Sequence, residues 1–313
     1  MKKIFRPIIV ATMLLGLVSQ QVYAIDTTAI NEKWGKPTVV YGGGLNDQQI
    51  KETSKLLGIK DENTVTTTKA TGEDLVKYLG AGEANTSVMI SSVMVQKRNK
   101  GEGVKVHIAT PKNITLVTSE QYANAAITAG VADAEIEVAA VSKVTGESAL
   151  TGVYKAFEAN GVVLDGKRTA VAQQELELTN QIAQEQSKEK GFDAAKLDQA
   201  MIDIKKSLAE IKEKQGQVAT KEDVERIVNE ALKKYGLDKV ISPTQVNNII
   251  QFALSYQQTS AIDSKQVLEQ LNSLSNTVKG KIGQLVDQAN REGWFDKIVT
   301  FFKEIFNAIF SSK

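Results

Sequence analysis

Thr38-Val39-Val40-Tyr41-Gly42-Gly43-Gly44-Leu45-Asn46-Asp47-Gln48-Gln49 decides how the first half of this chain reads. A short run of β character meets three glycines, and Asn46 with Gln49 then stands as N-cap and N3 of a helix reaching Gly58. The alternation continues outward. Residues 64–68 are β-branched, and Thr71 with Asp74 repeats the capping-box spacing at the head of a second helix. Residues 87–96 and 104–109 predict two strands around a polar, glycine-containing turn at 97–103. Residues 119–129 predict a helix stopped by Gly130, and 134–141 another strand. Residues 147–160 predict a helix closed by Gly161, with N-cap chemistry expected from Thr145-Gly146-Glu147-Ser148. Strands alternating with helices imply a mixed sheet covered by helices.

From Gly166 the pattern is helical. Leu197, Met201, Ile204, Leu208 and Ile211 keep a 4,3,4,3 spacing, and Val267, Leu271, Leu274, Val278, Ile282, Leu285 and Ala289 form a longer stripe. Either stripe serves as bundle core or as a coiled coil with a partner. Between them Thr220 caps a helix to Tyr235, and Ser242-Pro243 supplies N-cap and N1 of another. The Gln/Glu/Lys-rich stretch 181–190 reads as a hinge or a solvated helix face. The expected class is α+β: an N-terminal mixed α/β domain over 25–165, then an all-α helical-bundle or coiled-coil-like region over 166–290. An amphipathic, aromatic helix over 291–313 completes the order.

The two ends of the chain carry the functional signals. Lys2, Lys3 and Arg6 precede an apolar run over 8–18, and Val22 and Ala24 form a small-x-small site. That order predicts a secretory signal peptide over 1–24, cleaved after Ala24. The run is short for a membrane span of about 20 residues. Removing the leader takes three cations and no acids, so 38 Lys+Arg against 37 Asp+Glu becomes 35 against 37, a net charge of −2. A near-neutral, cysteine-free chain fits export from a Gram-positive cell, where oxidative folding is not required.

At the other end, Trp294, Phe295, Ile298, Val299, Phe302, Ile305, Phe306, Ile309 and Phe310 fall on one helical arc, with Asp296, Lys297, Thr300, Lys303, Glu304 and Asn307 opposite. So wide an apolar face requires a partner surface. The candidate binding residues are Trp294, Phe295, Ile298, Phe302, Ile305, Phe306 and Ile309. Their contact is the cell envelope (membrane surface or wall), a surface protein, or the chain's own bundle.

Composition removes several chemistries. With no cysteine there are no disulfides, thiolate metal sites or cysteine nucleophiles, and a single histidine rules out a two-imidazole metal centre. A formal charge of +1 argues against a general nucleic-acid binder. Gly42–Gly44 lacks the spacing and the Lys-Ser/Thr ending of a phosphate loop and reads as a strand-to-helix turn. Ser187 and Lys190 match S-x-x-K without the companion elements of a serine acyl enzyme. His107 reads as a solvent-facing strand residue, and Glu135 and Glu137 share a strand face. No cofactor, metal site or catalytic residue is assigned.

Residues 113–160 carry a resemblance. Asn113-Ile114-Thr115, Val117-Thr118, Tyr122-Ala123-Asn124-Ala125, Thr128-Ala129-Gly130-Val131 and Asp133-Ala134 occur in order, followed by Thr145-Gly146-Glu147-Ser148-Ala149-Leu150-Thr151-Gly152 and Lys155-Ala156-Phe157-Glu158. The pattern resembles the YpuA-like family of secreted Gram-positive (Firmicute) proteins, a domain of unknown function, over roughly 38–185. The chain departs from it at Val141-Ser142-Lys143 and at Gly42–Gly44. The resemblance implies an exported protein and brings no catalytic residues with it.

Three functions are therefore open. The first is an exported non-enzymatic protein that binds the cell envelope or a surface partner. The second is a cell-envelope hydrolase using carboxylates of the α/β domain. The third is a secreted small-ligand sensor with a ligand at the helix N-terminus near Gly146.

Overall fold

The structure, a computed structural model, describes Ile25 and residues 34–80 and 82–290. The expected signal peptide and the aromatic segment 291–313 lie outside the described residues. The chain is α+β, with a five-stranded mixed sheet and helices. The strands are β1 (Thr38–Gly42), β2 (Thr66–Ala70), β3 (Ser92–Lys97), β4 (Val104–Ile108) and β5 (Ala134–Ala139). Their order across the sheet is β2-β1-β3-β5-β4. β1 and β2 are parallel, as are β4 and β5, and the central β3 runs antiparallel to β1 and β5.

The helices of the first half are α1 (Asp47–Leu56), α2 (Gly72–Leu79), α3 (Ser119–Ala129) and α4 (Ser148–Ala159). Their starts follow the predicted chemistry. Asn46 and Gln49 form a reciprocal capping box on α1, and Thr71 with Asp74 does the same on α2. Gly130 ends α3 at φ 101°. α4 differs from expectation: Glu147 at its N-cap is already helical and makes no side-chain cap bond. The preceding Gly146 carbonyl instead accepts a hydrogen bond from the Tyr122 hydroxyl at 2.7 Å.

One strand expectation changes. Residues 86–88 form a 3-10 turn, held by the Asn85 side chain on the Ser87 N–H, and β3 starts only at Ser92. β3 and β4, joined by the turn over 97–103, do not pair, because β5 lies between them. The loop joining them is held apart by Asp133, whose Oδ1 accepts the N–H groups of Gly101 at 2.9 Å and Gly103 at 3.0 Å. Asp133 itself takes a left-handed φ of 48°, a conformation aspartate tolerates better than most side chains.

Among the described residues over 166–290 the elements are helices: α5 (Gly166–Gln186), α6 (Ala194–Gln215), α7 (Lys221–Lys234), α8 (Pro243–Tyr256) and α9 (Lys265–Asn290). The stretch 181–190 is helix as far as Gln186, with Ile182 and Ala183 buried. Leu197, Met201, Ile204 and Leu208 of α6 and Val267, Leu271, Leu274 and Val278 of α9 are buried in the protein's own core. α6 packs against both α7 and α9.

The two faces of the sheet are covered unequally. Val40, Val93, Val95, Ile136 and Val138 point to one face, where α3 and α4 pack, and one continuous apolar cluster extends from there through α5–α9. The other face carries a small cluster of Val39, Tyr41, Met94 and Ala139 with Leu57, Ile59, Val65 and Ile25. α1 lies on this side, tied by the Tyr41 hydroxyl to Ser54 at 2.7 Å.

Candidate functional site

The three glycines form a structural turn. A Cβ on Gly42 would stand 2.2 Å from the Met89 carbonyl oxygen, on Gly43 2.7 Å from that of Ala70, and on Gly44 2.7 Å from that of Ser87. Their amides are also engaged: Gly42 donates to Ser92 Oγ, Gly43 to the Ala70 carbonyl and Gly44 to the Met89 carbonyl. The glycines thus let two backbone segments touch, and their N–H groups are turned to the protein itself.

The helix N-terminus at Gly146 is likewise filled. A Cβ there would meet the Tyr122 hydroxyl at 2.4 Å, and the Glu147 carboxylate beside it binds the Asn180 amide. That carboxylate is engaged by the Asn180 and Thr145 side chains beside the helix end to which the sensor reading assigned a ligand.

The smaller face of the sheet holds the more distinctive chemistry. In the β4–β5 ladder His107 stands directly opposite Glu137, and Lys105 opposite Glu135. His107 Nδ1 lies 2.9 Å from Glu137 Oε2. The His107 side chain is 40% exposed and is in addition engaged by a carboxylate, which the solvent-facing expectation did not include. Glu137 is almost wholly buried, and burial raises its carboxyl above the ordinary value, against the lowering effect of His107. The backbone N–H of Ile25 also hydrogen-bonds to this carboxylate. Its second oxygen, Oε1, is buried without a hydrogen-bond partner among the described residues. Glu135 shares the face, as the alternation predicted, but is held by Arg98 at 2.7 Å. The two acids are consequently an ion-paired group and a buried one, not two solvent-reachable carboxylates flanking a substrate.

A second polar centre lies within the helices. Lys205 of α6 is fully buried, with Nζ 2.8 Å from Glu175 Oε1 on α5. It also donates to Asn124 Oδ1 at 2.6 Å and to the Thr128 hydroxyl at 2.9 Å, both on α3. The Thr128 hydroxyl in turn donates to Glu175 Oε2 at 2.7 Å. Arg168 closes the end of α3 by donating to the carbonyls of Ile127 and Thr128. The pattern had a trace in sequence, because Lys205 lies four residues after Met201 and three before Leu208, on the arc of the apolar stripe.

An open cleft of about 480 Å³ lies where the β3–β4 loop meets α9, lined by Lys100, Asp133, Lys265, Glu269, Gln270 and Ser273. Gln270 bridges its floor by accepting from the Asp133 N–H and donating to the Val131 carbonyl. Its charges are mixed. Among the described residues no group of three or more His, Asp or Glu side chains is placed to hold a metal ion, and no helix is long and apolar enough to cross a membrane. The sequence-predicted contact residues Trp294, Phe295, Ile298, Phe302, Ile305, Phe306 and Ile309 lie outside the described residues.

The chain belongs to the family described as protein of unknown function (DUF1002), whose model matches residues 41–274. It is 30% identical over 317 residues to the uncharacterized protein YpuA of Bacillus subtilis (strain 168), covering 99% of both chains. No solved structure matches. The family match extends the resemblance read over 38–185 through α5–α8 and into α9.

Proposed function

We propose that this is an exported, non-enzymatic binding protein whose α+β body is held at the cell envelope by the C-terminal segment 291–313. The observation that carries this reading is the course of α9. Val267, Leu271, Leu274 and Val278 fix its first half in the core, and Lys281 pairs with Glu120 of α3 at 2.6 Å. Beyond Val278, Lys279, Gly280, Lys281 and Gly283 are exposed. A helix seated in the core through Val278, with Ile282 still packed against it and Lys279, Gly280 and Gly283 exposed, is a suitable base for the aromatic, amphipathic segment that follows it in sequence. The leader over 1–24 supports the compartment, and the net charge of −2 leaves apolar contact rather than charge as the driving term.

The test is co-sedimentation of the mature protein, with and without residues 292–313, against purified cell walls and against liposomes. The reading expects the intact form alone to pellet, and the material that pellets it identifies the surface as membrane or wall. Equal pelleting of both forms, or of neither, would overturn it.

A further inference from the structure

Ile25 is the first residue after the expected cleavage site, and it is buried. Only 5% exposed, it contributes to the small apolar cluster with Val39, Tyr41, Leu57, Ile59, Val65, Met94 and Ala139. Its backbone nitrogen reaches the Glu137 carboxylate, whose side chain is 4% exposed and whose Oε1 has no hydrogen-bond partner among the described residues. A buried, half-answered carboxylate is costly, and more so when it is charged. An amide supplies one N–H and no charge. An α-amino group at the same position supplies three N–H groups and, below its ordinary pKa of about 8, a positive charge.

We infer that removal of the leader creates the missing partner: the α-ammonium group of Ile25 forms a buried ion pair with Glu137, so that processing completes the folded state. The inference rests on the signal-peptide reading. In the cleavage step a signal peptidase adds water across the Ala24–Ile25 peptide bond. Ala24 leaves with the new carboxylate, and the nitrogen of Ile25 becomes an amine that takes up a proton. The Ile25 side chain is already seated, so the new charge arises beside its counterion with little rearrangement. The groups facing Glu137 are then the Ile25 ammonium, His107 from β4 and Glu135 from its own strand. The precursor, lacking this pair, is the less stable form, which suits a chain that crosses the membrane unfolded.

The experiment has two arms. Mass spectrometry of the exported protein reads its first residue. Separately, the mature chain is prepared with Ile25 first and with Ala24 retained, each with and without Glu137→Gln, and melting temperatures are compared. The expected results are a mature N-terminus at Ile25 and a melting temperature at least about 3 °C higher for the Ile25 form. Glu137→Gln should abolish that difference. Should Glu137→Gln prevent folding, amine labelling of the native proteins decides the matter, because a paired and buried Ile25 amine should react at least tenfold more slowly than a free Ala24 amine. Equal melting and equal labelling of the two forms would overturn the ion pair. A different first residue in the exported protein would overturn the leader reading instead.

Discussion

Glu175 on α5 and Glu137 on β5 are both withdrawn from water, on opposite sides of the same sheet, and the protein answers them differently. Around Glu175 stands a buried counter-charge, the Lys205 ammonium, 2.8 Å from Oε1 and also donating to Oε2, with the Thr128 hydroxyl on Oε2 and Asn124 on the far side of the lysine, while Oε1 itself receives no directed hydrogen bond among the described residues. Those groups come from α3, α5 and α6, so satisfying the charge and fixing the three helices are one event. Around Glu137 the side-chain partner is weaker: His107 is partly in solvent, and Oε1 is likewise without a hydrogen bond among the described residues. A buried carboxylate facing a buried ammonium is an element of architecture; one whose side-chain partner is partly in solvent leaves room for a further cation.

The contrast predicts its largest effect at the closed centre. Lys205→Met keeps the length and apolar stem of the side chain but strands Glu175, and breaking a buried pair in this way costs about 3–5 kcal/mol. Chemical denaturation should show that loss, and Lys205→Met combined with Glu175→Leu should restore most of it, because the pair is then absent rather than broken. A single substitution costing under 1 kcal/mol would mean that water reaches the centre.

The next effect is a gain. Asp198 of α6 is buried, accepts from the Thr118 hydroxyl at 3.0 Å through Oδ2, and leaves Oδ1 without a partner among the described residues. Burial, with a contribution from the Glu120 carboxylate, holds its carboxyl well above the usual range. The folded state therefore keeps a proton that the unfolded chain gives up above about pH 4, and stability declines as pH rises from there toward the folded value. Asp198→Asn removes that dependence. The variant should be more stable than the parent at pH 8 by about 1–3 kcal/mol, with the gap closing toward pH 4. Denaturation at the two pH values checks the sign, and a variant less stable at pH 8 would show that the ionised form is held by contacts beyond Thr118.

What the sequence showed of all this was local. The capping pairs at Asn46 and Thr71 and the N-cap and N1 at Ser242-Pro243 announce their helices within four residues, and each is present in the structure. The insertion of β5 between β3 and β4 was not legible, because Asp133 acts on glycines about 30 residues earlier. The two charged centres stayed hidden for the same reason. His107 and Glu137 are 30 residues apart, as are Glu175 and Lys205, and alternation or helical periodicity assigns a charged residue to solvent unless its partner is known. Lys205 on the apolar arc of α6, and Asp198 one heptad before it, are positions where periodicity alone conflicts with residue type.

The smallest predicted effect lies at the open centre. His107→Gln keeps a donor near Glu137 but removes the imidazole, whose lowering influence on the carboxyl is the main opposition to burial. Without it the Glu137 carboxyl moves further up, so the cost appears as pH rises out of the acid range and is least where the group is already protonated. Because the His107 side chain is 40% exposed, water replaces much of what it gave, and the loss should be about 0.2–1 kcal/mol at pH 7. The size of this number, set beside that for Lys205→Met, measures how far the two carboxylates differ. Were the histidine variant as damaging as the lysine one, Glu137 would depend on His107 as its principal partner, and an incoming ammonium group would have little left to satisfy.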